Sequence, residues 1–100
     1  MTRGTTPTHI FLLPDSLDSS LFTEVFITYA QMGKVVTEKG TDDLTVSGNE
    51  VRVTLKQEDT LRFLPGKVEI QMRIKTVGGS AFASEVVLTS AEKVLKDGVI

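Results

Sequence analysis

The stretch Val68-Glu69-Ile70-Gln71-Met72-Arg73-Ile74-Lys75 alternates an apolar residue with a polar or charged one at every step. A strand with one buried face has this period of two, because successive side chains leave a pleated backbone on opposite sides. A helix, repeating every 3.6 residues, would spread the same apolar positions around its axis. The segment is therefore expected to be extended, with Val68, Ile70, Met72 and Ile74 in a core and Glu69, Gln71, Arg73 and Lys75 in water.

C-terminal to it, Gly78 and Gly79 mark a reversal. A two-residue loop would set Glu85 beside Met72. A three-residue loop, Val77 to Gly79 with Gly79 left-handed, instead pairs Ile74 with Phe82, Ile70 with Val86 and Val68 with Leu88, and is preferred because it keeps apolar residues together. N-terminal to it, Pro65 and Gly66 reset the chain direction, and Gln57 to Leu61 suits one helical turn crossing between sheets. Before that, Gly48 and Asn49 form a two-residue hairpin loop pairing Ser47 with Glu50, so that Leu44, Val46, Val51 and Val53 share a face that Leu55 continues. Met32 and Gly33 separate two further strands, Glu24 to Gln31 and Lys34 to Lys39, and a pairing of Gln31 with Lys34 places Tyr29 beside Val36 and Ile27 beside Glu38.

The first strand runs from Thr8 to Leu13, where Pro14 ends it for want of an N–H. Asp15 to Phe22 suits a turn or a single helical turn capped by Asp15 or Ser16. These segments make about seven strands joined by short turns, which predicts an all-β, antiparallel two-sheet β-sandwich of immunoglobulin-like arrangement. Residues 1–7, rich in threonine, are expected as a flexible extended arm, residues 8–90 as the sandwich, and residues 91–100 as a tail forming a short helix or a docking segment.

Composition limits the functions open to such a domain. An apolar fraction of 40% and a charged fraction of 24% are those of a folded globular protein. A net charge of −2, with no run of Lys or Arg, speaks against holding a phosphate backbone, so no nucleic acid is expected as partner. Without cysteine there is neither a disulfide framework nor a thiolate metal site. No apolar stretch approaches the ~20 residues that cross a bilayer, and the N-terminus does not read as a secretion signal, so no membrane partner and a cytoplasmic location are expected.

Residues with chemical potential do not converge. His9 is the single histidine, on the first strand, and is expected to have a structural or surface role. Asp15 and Asp18, and Asp42 and Asp43, are loop acids without the spacing of a calcium loop. Glu58 and Asp59 are adjacent, so on a helical turn they diverge and favour its N-terminus instead of sharing a proton. Gly33-Lys34 and Gly66-Lys67 lack the remainder of a phosphate loop. No catalytic residue, metal or cofactor is expected, and the chain reads as a binding protein, not an enzyme.

Several segments together carry a likeness: Arg3-Gly4-Thr5-Thr6-Pro7-Thr8, Gln31-Met32-Gly33-Lys34-Val35-Val36, Leu55-Lys56-Gln57-Glu58-Asp59-Thr60-Leu61, Val68-Glu69-Ile70-Gln71 and Val94-Leu95-Lys96-Asp97-Gly98. Over nearly its whole length the chain resembles small proteins encoded among the structural genes of tailed phages and prophages of Gram-positive bacteria. More distantly it is similar to the N-terminal immunoglobulin-like domain of phage baseplate upper proteins, where Pro65-Gly66-Lys67-Val68-Glu69 fits an ordered Gly-x-Val-Glu segment. The chain stops after one domain, so the resemblance implies virion assembly, in the tail, baseplate or head, and not adsorption to a host. The implied partners are other virion proteins or further copies of the chain, and the implied location is the host cytoplasm during assembly and then the virion. A free adaptor or inhibitor binding one host protein is the competing reading. The expected binding residues are at the two ends: Arg3, Thr5 and Thr6 in the arm, and Val99 and Ile100 in the tail.

Overall fold

The alternating stretch forms the middle of the longest strand, β6 (Gly66–Thr76), in a computed structural model that describes all residues from Met1 to Ile100. Val68, Ile70, Met72 and Ile74 are buried, and Arg73 and Lys75 are exposed. Seven further strands surround it: β1 (Thr8–Leu12), β2 (Phe22–Gln31), β3 (Lys34–Lys39), β4 (Leu44–Ser47), β5 (Glu50–Thr54), β7 (Ala81–Ala83) and β8 (Val87–Ala91). One helical turn, α1 (Gln57–Thr60), crosses from β5 to β6 and so from one sheet to the other, as its position in the sequence predicts.

All strand pairings are antiparallel, in a three-stranded sheet of order β1-β5-β4 and a five-stranded sheet of order β3-β2-β6-β7 with β8 also on β6. In immunoglobulin lettering these orders are B-E-D and C′-C-F-G, with G split into β7 and β8. The chain is thus an immunoglobulin-like sandwich, the arrangement expected from the strand pattern. Thirteen buried apolar residues fill the space between the sheets. Tyr29 on β2, Phe63 after α1 and Leu55 after β5 are the largest with Ile27, each fully buried. With no cysteine to link the sheets, this packing carries the stability.

Turn chemistry decides the local connections. Met32 and Gly33 both take positive φ, 50° and 76°, the combination of a type I′ hairpin. Gly48 at φ 59° followed by Asn49 at negative φ is the II′ alternative. The three-residue loop Val77–Gly79 is also present, with Gly79 at φ 83° and Ile74 opposite Phe82.

Two registers depart from expectation by one residue. On β3 a bulge at Val36 sets Tyr29 opposite Thr37 and Ile27 opposite Lys39, which turns Thr37 into the core while Val36 still packs against its margin. Beyond Ala83 the ladder breaks at 84–86, so Ile70 faces Val87 and Val68 faces Thr89 in place of Val86 and Leu88. Ser84 absorbs the extra residue: its N–H donates to the Met72 carbonyl (2.8 Å) and its hydroxyl oxygen accepts the Met72 N–H (3.0 Å). This break divides one expected strand into two, giving eight strands where about seven are expected. In the connection before β2 the helical turn is a 3₁₀ turn, Ser19–Leu21, capped by Asp18 and not by Asp15 or Ser16. Asp18 Oδ1 accepts from both the N–H and the hydroxyl of Ser20, which also holds its carboxyl below the ordinary range.

Candidate functional site

Strand β1 borders the three-stranded sheet and pairs on one side only, with β5. The Leu55 N–H donates to the Pro7 carbonyl (3.0 Å) and the Leu13 N–H to the Asn49 carbonyl (2.7 Å), in the same register that pairs His9 with Val53 and Phe11 with Val51. In an antiparallel ladder alternate residues bond to a given neighbour. The odd residues of β1 therefore turn their backbone groups to β5, and Thr8, Ile10 and Leu12 turn theirs outward. Ile10 is half exposed and Leu12 is 72% exposed.

Beside this edge lies an open, largely apolar cleft of about 690 Å³ between the two sheets. Phe11 of β1 and Leu13 just after it form one wall, and Met72, Ile74, Phe82 and Val87 form the wall from β6, β7 and β8. The local reason is the run Ile10-Phe11-Leu12-Leu13: a strand apolar on both faces sends Phe11 and Leu13 inward and leaves Ile10 and Leu12 outside. In the immunoglobulin arrangement strand A lies beside B. Here the corresponding place along β1 is open.

Lower in the sandwich the gap is closed by the N-terminal residues. The arm expected to be free is extended but lies against the body. Thr2 makes a parallel bridge with Glu92, the Arg3 N–H donates to the Glu92 carbonyl (3.0 Å), and the Met1 ammonium donates to the Ser90 carbonyl (2.7 Å) and pairs with the Glu92 carboxylate (2.8 Å). That ammonium, with the Ser90 hydroxyl, holds the Glu92 carboxyl below its ordinary range. The composition of residues 1–7 conceals Met1 itself, whose side chain packs on the core.

The five residues expected to bind partners separate accordingly. Arg3 donates to the Leu61 carbonyl (2.9 Å) and lies 3.6 Å from Asp97, with its Nε buried and unpartnered. The Thr5 carbonyl accepts from Thr60 and its hydroxyl donates to the Thr2 carbonyl, which leaves Thr6 as the exposed residue without such ties. The tail contains no helix, because Gly98 (φ 85°) and the bends before it follow Glu92 out of the sheet. Val99 and Ile100 are exposed, and Ile100 is held by a two-way amide pair with Gln57, N–H to Oε1 at 2.9 Å and Nε2 to carbonyl at 3.3 Å. The structure brings Arg3 toward Asp97 but does not gather the five residues into one surface.

Three titratable groups, His9, Tyr29 and Asp59, are tied into the fold. His9 Nδ1 lies 2.6 Å from the Tyr29 hydroxyl, joining β1 to β2 across the core. Burial, and then the charge of the N-terminal ammonium, lower the His9 pKa, while burial and the Asp59 charge raise that of Tyr29. Neutral His9 can therefore accept at Nδ1 from a tyrosine that keeps its proton. Asp59 is buried; burial pushes its carboxyl up, but the Lys56 N–H (2.8 Å), the Lys39 ammonium (2.9 Å) and the Arg62 charge together bring it below the ordinary range. No group of three or more His, Asp or Glu side chains is placed to hold a metal ion, and no helix is long and apolar enough to cross a membrane.

The sequence pointed to the two termini as binding residues and did not anticipate the cleft. The signal for it was the doubly apolar Ile10-Phe11-Leu12-Leu13 run, which does not alternate as a half-wet strand should.

No protein-family model and no curated protein matches the chain. Among solved structures it is similar to the V domain of amphioxus IgVJ-C2, with 14% sequence identity, 94% of this chain and 97% of that one covered, and a TM-score of 0.38.

Proposed function

We propose that this chain is a non-catalytic structural subunit of a tailed-phage particle, in the tail, baseplate or head, and that it works by binding neighbouring proteins. The observation that carries the binding reading is the open β1 edge above an apolar cleft. Unpaired N–H and C=O groups beside exposed apolar side chains are a template for strand addition, and the immunoglobulin-like sandwich is widely used for protein–protein contact. Supporting the absence of catalysis, the one imidazole is engaged with Tyr29 and the one buried carboxylate with Lys39 and a helix cap, so neither is offered to a substrate. The phage assignment is supported by the sequence segments that resemble virion structural proteins, and it sets the chain first in the host cytoplasm and then in the particle.

Mass spectrometry of purified particles tests the assignment. The chain is expected in them at a fixed copy number, and its absence overturns the virion role. A pull-down from host lysate that retains one host protein stoichiometrically would replace it with the adaptor or inhibitor reading.

A further inference from the structure

The open edge has a sequence that suits one occupant in particular. We infer that two copies of this chain pair through β1, antiparallel about a two-fold axis at Ile10, so that their three-stranded sheets join into one. The inference deepens the binding reading above and names the partner as a second copy.

Most of the remaining edge is guarded in ways that prevent self-association; Val87 to Thr89 of β8 is not, but that open stretch is only three residues long. The outer strand β3 carries Lys34, Glu38 and Lys39, and the lower part of β8 is covered by Met1 to Arg3. Strands β4 and β7 are only four and three residues long. By contrast β1 is five residues, Thr8-His9-Ile10-Phe11-Leu12, with no ionised side chain at neutral pH, since burial keeps His9 uncharged.

Antiparallel pairing about Ile10 sets each Ile10 opposite its own copy and each Thr8 opposite Leu12 of the second copy. In that register the outward groups of Thr8, Ile10 and Leu12 exchange about six backbone hydrogen bonds, because the residues already turned outward are the ones that face each other. Self-pairing meets no charge repulsion. The nearest like charges are Arg52 on each β5, which lies opposite Ile10 in its own sheet. They would stand three strand spacings apart, roughly 14 Å, which exceeds a Debye length of about 8 Å at physiological salt. On the outer face, Ile10 and Leu12 of the two copies would cover one another, where each now stands 50% and 72% exposed. A closed two-fold contact of this kind uses the same patch twice and ends at two copies.

Sedimentation equilibrium of the purified full chain, with amide hydrogen exchange, tests the pairing. The mass is expected to rise with concentration from 10.9 kDa toward twice that value. Over the same range the amides of Ile10 and Leu12 should slow at least tenfold in exchange, while the outward amide of Val46 on β4 should not change. Ile10→Pro removes an N–H that no internal acceptor uses, so the fold should persist by circular dichroism while the dimer is lost; Ile10→Lys should do the same by opposing two ammonium groups. Leu88→Lys, on the other sheet, should leave the dimer intact. A chain that stays monomeric at every concentration, or a dimer in which the Ile10 and Leu12 amides exchange as open ones, overturns the inference, and the exchange measurement holds even should a variant fail to fold. A monomer still present in particles overturns the pairing alone, whereas absence from particles overturns the virion role alone.

Discussion

The imidazole of His9 and the phenol of Tyr29 form a bridge between the two sheets, Nδ1 to Oη at 2.6 Å, with ring centroids 5.6 Å apart. Tyr29 is fully buried and also meets Phe63 edge-on, so its hydroxyl is the polar end of an otherwise apolar ring stack. Replacing Tyr29 by Phe keeps the ring and removes the bridge. The expected loss is about 1–2 kcal/mol, read as a lower midpoint of urea unfolding at an unchanged slope.

The burial of His9 makes stability depend on pH. His9 titrates below its ordinary 6.5 in the folded protein because burial and the N-terminal ammonium oppose its charge. Between the folded value and 6.5 the unfolded chain binds more protons, so stability rises with pH through that window. The contribution is complete above 6.5 and is lost as pH falls through the folded value. Thermal melts of wild type and His9→Gln should differ in slope across that window, the variant being flatter; equal slopes would refute the assignment.

Asp59 behaves in the same direction at lower pH. Its folded pKa lies below the ordinary 3.8, so its stabilisation is present above 3.8 and disappears as the carboxyl protonates below it. Asp59→Ala removes the Lys56 cap and leaves the Lys39 ammonium, whose side chain is 14% exposed, without its partner. A loss of about 2–4 kcal/mol is expected in denaturant unfolding at pH 7. The double variant with Lys39→Met should recover part of it, since no orphaned charge remains.

Met32 holds φ 50° at a position 81% exposed to solvent, a conformation that costs a side chain with a full Cβ about 1 kcal/mol. Met32→Asn builds the Asn-Gly pair that type I′ hairpins favour. The melting temperature should rise by a few degrees, and an unchanged or lower value would show that the turn is not strained.

Much of the fold was legible because it depends on local rules. The alternation from Val68 to Lys75, the loops at Met32-Gly33, Gly48-Asn49 and Val77–Gly79, and the helical turn at Gln57 each follow from the period of a strand or the φ a turn demands. The one-residue error between β7 and β8 arose where a side chain replaced a ladder bond: Ser84 offers both its backbone and its hydroxyl to Met72, which alternation cannot reveal. Gln31 is a similar case. It is polar and ends a hairpin strand, yet it is buried and bonds with the Leu64 N–H and with the Leu64 and Lys67 carbonyls.

The sequence by itself determined which residues are extended, where the chain turns and which face of each strand is greasy, because those properties depend on neighbours a few positions apart. Tertiary structure alone decided that β1 stands at an open edge beside a cleft, that Met1 docks on Glu92, and that Asp59 meets Lys39. Each of these joins residues between twenty and ninety-one positions apart, and no local period encodes which distant strands become neighbours or which edge is left without one.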